Sequence, residues 1–166
     1  MKKYSRILII ANLILLLGYF NWSVFQKEQT LKDGQLVLLP LVPVDPRSLM
    51  QGDYMSLNYE VNSSSSALIN EQTATHGYAI LRTDSNQVGQ LIRLQDTLTP
   101  LNDNEIAIKY KIVNKRIFLG AESFFFEEGQ DSLYQNARYG GLQIDDKGQS
   151  LLIGLYDAYF QRIQPN

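Results

Sequence analysis

The chain has 166 residues, 45% of them hydrophobic and 19% charged, with no cysteine and a formal net charge of −2. The lack of cysteine excludes disulfides, a disulfide-linked partner, thiolate metal sites and an acylated lipoprotein anchor. From Asp33 onward 10 Lys and Arg stand against 16 Asp and Glu, a net of −6, and so acidic a body argues against nucleic-acid binding, which needs clustered basic residues.

Residues 7–25, "ILIIANLILLLGYFNWSVF", carry no charge. A helix of that length just crosses a hydrocarbon core of roughly 30 Å. Tyr19, Phe20 and Trp22 gather where an interfacial aromatic belt belongs, and Lys2, Lys3 and Arg6 precede the span, which places the N-terminus in the cytoplasm. A cleaved signal peptide is the competing reading. It needs small residues after the apolar run, where this chain has bulky aromatics, so an uncleaved signal anchor is expected. The organisation that follows is a cytoplasmic stretch over 1–6, a transmembrane anchor over 7–25, a polar linker over 26–34 closed by Gly34, and one extracytoplasmic domain over 35–166. The location expected is the inner membrane of a Gram-negative bacterium, with the domain in the periplasm.

The domain reads as mainly β (α+β), antiparallel, with one or two short helices. "QLVLLPLVPV" suits an edge strand, because Pro40 and Pro43 each lack a ladder donor. Asp45 and Pro46 then open a turn. In "EIAIKYKIV" the alternation puts Ile106, Ile108, Tyr110 and Ile112 on one face and Ala107, Lys109, Lys111 and Val113 on the other. Hairpins are expected around "DSNQ", around "DDKGQ" and at Asn114-Lys115. The stretch 63–72 reads equally as two helical turns or as a loop. Residues 131–141 read as a helix capped by Asp131 or Ser132, with Leu133 stacked on Ala137 and Gly140-Gly141 ending it.

"GDYMSLNY", residues 52–59, has a structural explanation. Gly52 permits a reversal, Asp53 can pin turn amides, and Leu57 and Tyr59 share one strand face with Met55, the tyrosine hydroxyl needing a polar partner. Gly52, Asp53, Tyr54, Leu57 and Tyr59 also match without a gap the pattern of the GDYXXLXY proteins. The lead-in with Asp45, Pro46, Arg47 and Ser48 resembles that family's, as do "FFFEEGQ" with Glu128 and Gly129, "ARYG" with Arg138, Tyr139 and Gly140, and "GQSLLIGL". The resemblance covers essentially the whole exposed domain. It implies a membrane-anchored bacterial protein of a kind often encoded beside, or fused to, polytopic membrane proteins, and it brings no catalytic residue.

Chemistry is sparse elsewhere. Ser48 before Gly52-Asp53 has a superficial likeness to Ser/Lys peptidases of the signal-peptidase type, with Lys109, Lys111 or Lys115 as the amine base. That family places methionine directly after the serine and more residues before Gly-Asp, and Lys109 and Lys111 fall on the polar strand face. His76, the single histidine, suits a surface position better than a metal site. Glu122, Glu127, Glu128 and Asp131 lack the ligand spacing of a Ca²⁺ loop and suit a solvated helix entrance. No catalytic residue, metal or cofactor is expected. The expected role is an accessory one, binding a polytopic membrane partner. The alternative is a small-molecule or peptide-binding module with a pocket lined by Arg47, Asp53 and Tyr54, and the signature turn and the "EEGQ" segment are expected to converge.

Overall fold

A computed structural model describes residues 2–42, 54–64, 68–69, 73–127 and 129–164. The chain opens with a long helix, α1 (Lys2–Asp33), followed by β1 (Gln35–Pro40), β2 (Tyr54–Ser56), α2 (Glu60–Ser64), β3 (His76–Thr83), β4 (Gly89–Gln95), β5 (Glu105–Val113), β6 (Arg116–Phe118), β7 (Ser123–Phe125), α3 (Asp131–Tyr134), β8 (Tyr139–Ile144) and β9 (Ser150–Tyr156). An N-terminal apolar helix thus precedes an antiparallel β-rich domain with short helices, as the sequence led us to expect.

The apolar residues of α1 meet solvent rather than protein: Leu8, Leu15 and Trp22 are exposed, with Trp22 at 64%. Such a face is of the kind a membrane-spanning helix turns to lipid. Residues Ile7–Asp33 form the one candidate membrane span among the described residues. The segment expected as a polar linker is itself helical, since α1 runs unbroken to Asp33. Its last turns are ordered by tertiary contact. Thr30 is buried, and its hydroxyl lies 3.0 Å from Asp145 Oδ2 and 3.1 Å from the Gln26 carbonyl. Gly34 ends the helix where β8 approaches, and a Cβ there would lie 2.5 Å from the Thr30 carbonyl oxygen and 2.9 Å from the Gln143 side chain. The Gln143 amide donates to the Gly34 carbonyl.

The strands form three antiparallel sheets, ordered β1-β8-β9, β2-β7 and β4-β3-β5-β6. β1 is an edge strand, with Pro40 as its last residue; Pro43 lies outside the described residues. The first and third sheets are joined in two places. Leu38 N–H donates to the Gln87 carbonyl at 2.8 Å, and Lys109 N–H donates to the Gly148 carbonyl at 2.8 Å. Between the sheets lies a core to which Val37, Leu39, Tyr59, Leu81, Ile108 and Leu142 contribute fully buried side chains, and Leu38, Val88 and Tyr156 form a smaller cluster. In β5 the period of two holds: Ile108 and Tyr110 are buried, and Lys109, Lys111 and Val113 are exposed. Ala107 departs from the expected polar face and is buried, lying beneath the β8–β9 turn, whose Gly148 approaches its carbonyl.

All three expected hairpins form. β3 pairs with β4, β8 with β9, and β5 with β6 through Asn114 and Lys115, both at positive φ, as a two-residue connection demands. The 63–72 stretch is described only in part; α2 ends at Ser64. The helix expected over 131–141 is corrected to one turn, Asp131–Tyr134, preceded by Gln130 with no side-chain cap. Gly140 and Gly141 do not end it. They lie inside β8, where Tyr59 and Tyr156 lay their rings against the backbone, and a Cβ would fall 2.7 Å and 2.3 Å from those rings.

Candidate functional site

The signature enters the described structure at Tyr54 and leaves it at Tyr59. Asp45, Pro46, Arg47, Ser48, Gly52, Asp53 and Glu128 lie outside the described residues, as do the side chains of Tyr54 and Asp131. From Met55 to Val61 the inward positions alternate as expected: Met55, Leu57, Tyr59 and Val61 are buried, while Ser56 and Glu60 are exposed.

Tyr59 is the centre of this region. Its ring is fully buried, and its hydroxyl donates to the Ala121 carbonyl at 2.6 Å. Burial pushes the phenol well above its usual range, and the Glu122 charge adds to the shift, so the hydroxyl stays a donor at every physiological pH. The edge of the ring fills the space that Gly140 leaves open. Leu41 bridges to Tyr59, and Leu41 N–H donates to the Arg138 carbonyl at 2.8 Å. The closing half of the signature and the "ARYG" block, some eighty positions apart in the chain, are therefore one packed unit. Within that block Arg138 is exposed, and Tyr139 is half-buried with its ring centroid 5.2 Å from that of Phe160.

The signature strand also meets the "FFFEEGQ" segment. β2 pairs with β7 so that Tyr54 is the partner of Phe125, Met55 of Phe124 and Ser56 of Ser123. Leu57 N–H continues the join by donating to the Glu122 carbonyl at 2.7 Å. Phe124 and Phe126 pack on Tyr134, with centroids 4.9 and 5.5 Å from it. Phe125, on the other face, is 72% exposed. Gly129 lies in a turn at φ +85, where Gln130 N–H donates to the Glu127 carbonyl at 3.2 Å. The pairing sets β2 beside β7, while the signature turn expected to converge with "EEGQ" lies outside the described residues.

Of the acidic group, Glu122 accepts from Leu119 N–H, and Glu127 accepts from the Gln130 side chain at 3.0 Å. These carboxylates hold turns. No group of three His, Asp or Glu able to hold a metal occurs among the described residues. His76 is exposed at the start of β3, with Thr75 Oγ1 3.1 Å from its Nδ1. The residues that sequence reasoning passed over are Arg93 and Glu105. The Glu105 side chain is 1% exposed and 2.8 Å from Arg93, and it accepts from the Asn102 amide at 3.0 Å. The Arg93 hydrogen bond, followed by the bonds from Asn102, holds its carboxyl down from 4.5 to about 2. Glu105 opens β5 on a face that otherwise reads as surface, so only its distant partner marks it as buried.

Two clefts of substantial volume stand out among the described residues. One, of about 510 Å³, lies between the end of α1 and the β8–β9 turn. The other, of about 430 Å³, lies on the β3–β5–β6 face beside His76, Lys109 and Lys111. Neither is lined by a described residue of the signature.

These features define a class: a β-rich domain carried on one apolar helix of membrane-spanning length, with Leu57 and Tyr59 of the signature built into its core. Residues 16–155 match the sequence profile of the GDYXXLXY protein family, and the chain belongs to that family. No curated protein and no solved structure matches the chain.

Proposed function

We propose that this protein is a membrane-anchored accessory domain, without catalytic activity of its own, that associates with a polytopic membrane protein. Its N-terminus is cytoplasmic and its domain lies in the periplasm of a Gram-negative bacterium. The orientation rests on Lys2, Lys3 and Arg6 preceding the span. The observation that carries the reading is the join between helix and domain. Thr30 and Gln143 fasten the last turn of α1 to the β8–β9 hairpin, so the domain is held at the membrane surface, where an integral partner is always within reach.

A contact surface is offered by Phe125, exposed beside the signature strand, next to the half-buried Phe124 and the buried Tyr134. Exposed aromatics of this kind are favoured anchors of protein interfaces. Against a Ser/Lys hydrolase, Lys109, Lys111 and Lys115 are all exposed, whereas a lysine base has to be desolvated to lose its proton near neutral pH.

The test is crosslinking in intact membranes followed by recovery of the protein, wild type beside Phe125→Ser and Lys115→Ala at matched levels. We expect one polytopic protein with wild type and Lys115→Ala, and a recovery reduced about tenfold with Phe125→Ser, the loss of one interface anchor. Equal recovery with Phe125→Ser would remove Phe125 from the interface. Absence of any polytopic partner with wild type would sink the accessory role.

A further inference from the structure

The cleft between α1 and the β8–β9 turn sits at a defined height. Residues 7–25 take up the hydrocarbon core, and the headgroup layer beyond it is roughly 5–8 Å deep, or about four to five residues of helix. Ser23, Lys27 and Asp33 line the helical wall of the cleft, and Asp146, Lys147 and Gln149 line the wall opposite. The cleft therefore runs from the upper edge of the hydrocarbon core, at Ser23, through the headgroup layer to Asp33 just above it.

Its lining carries both signs of charge, two lysines and three aspartates. Asp145 also borders the cleft, but its oxygens are occupied by the Thr30 hydroxyl and by the amides of Lys147 and Gln149, at 3.0, 3.0 and 2.8 Å. What remains is two ammonium groups, Lys27 and Lys147, and two carboxylates, Asp33 and Asp146. None of the four is in an ion pair among the described residues. A simple anion would be repelled by the carboxylates and a simple cation by the lysines, so the complement of such a cleft is a zwitterion. A phosphate ester would meet the two lysines, and a primary ammonium group would donate to the carboxylates. A quaternary ammonium has no N–H to give.

We propose that this cleft binds the headgroup of a membrane phospholipid that carries a phosphodiester and a primary amine. Lys27 and Lys147 hold the phosphate, and Asp33 and Asp146 hold the ammonium. The inference rests on the membrane-anchored part of the function proposed above and is independent of the polytopic partner.

The test uses the full chain in nanodiscs of phosphatidylethanolamine and phosphatidylcholine in equal parts, with the lipids retained on the released protein counted by native mass spectrometry. Wild type is expected to retain phosphatidylethanolamine in preference. Lys27→Ala/Lys147→Ala should lower that retention about tenfold, the scale of losing charge-assisted contacts at a partly exposed site. Asp33→Asn/Asp146→Asn should keep lipid but lose the preference for the primary amine. Each variant is compared at equal reconstitution yield and unfolding temperature. Retention in proportion to the bulk composition, or an unchanged preference in both double variants, would overturn the inference. In discs of phosphatidylcholine alone, soluble glycerophosphoethanolamine is expected to leave no adduct, and an adduct there would overturn the membrane source. Failure of the wild type to enter nanodiscs would overturn the anchor itself. Entry without enrichment would overturn only the headgroup site.

Discussion

Two hairpin turns of this domain are built alike and used differently. At Asp84 one carboxylate oxygen accepts from the amides of Asn86 and Val88 at 2.8 and 2.9 Å. At Asp145 the same oxygen accepts from Lys147 and Gln149 at 3.0 and 2.8 Å. Each turn places its fourth residue at positive φ, Gln87 in the first and Gly148 in the second. The second oxygen of Asp84 makes no bond among the described residues, while that of Asp145 takes the Thr30 hydroxyl of α1. Gly148 is pressed against the Tyr78 ring, 3.0 Å from where a Cβ would stand. One local chemistry thus closes a hairpin in the first case. In the second it also forms the joint between a membrane helix and its domain.

A third carboxylate sharpens the contrast. Glu105 also accepts from a turn amide, that of Asn102, but it is buried against Arg93. Its replacement by alanine should have the largest effect of those considered, since Arg93 would keep its charge and lose its partner. The acid dependence follows from the lowered carboxyl. Glu105 contributes its full stability above pH 4.5, and the contribution is lost as pH falls from there toward about 2. Acid unfolding of the full chain in detergent, followed by circular dichroism, should lose that component in Glu105→Gln.

Asp145→Ala removes two backbone acceptor contacts and the tether, and should cost about 2–3 kcal/mol in denaturant unfolding of the full chain. Asp84→Ala should cost about 1–2 kcal/mol. Equal losses would mean that the tether adds nothing. Gly148→Ala forces a side chain into positive φ and toward Tyr78, for about 1–2 kcal/mol. Thr30→Val keeps the shape and removes the hydroxyl, for about 1 kcal/mol, and should increase amide exchange in the last turns of α1 while leaving β3 and β4 unchanged. The smallest change has the opposite sign: Gln87→Gly relieves a strained non-glycine residue and should raise the unfolding midpoint by the equivalent of ~0.5 kcal/mol.

What could be read beforehand follows how local its cause is. The hairpins at Asp84, Asp145 and Asn114-Lys115 were legible because a turn is decided by the residues inside it. So was the burial of Leu57 and Tyr59, from alternation alone. The ending of α3 was not. Leu133, Ala137 and two glycines imitate a helix and its stop, but Gly140 and Gly141 serve the rings of Tyr59 and Tyr156. The polar stretch 26–33 likewise reads as a connector until Asp145, 115 positions away from Thr30, is placed beside it. Of the candidate site, the backbone join of β2 with β7 is observed, and Arg47, Ser48 and Asp53 lie outside the described residues.

The 32-residue helix and the domain share no hinge among the described residues, since α1 is followed after one glycine by β1. In mechanical terms α1 is a lever arm of about 48 Å, with the domain as its head. A change of about 10° in the tilt of the membrane portion, within the range such helices sample, would swing a point 30 Å above the bilayer sideways by roughly 5 Å. Rotation of the helix about its own axis would turn Phe125 and the signature strand through the same angle.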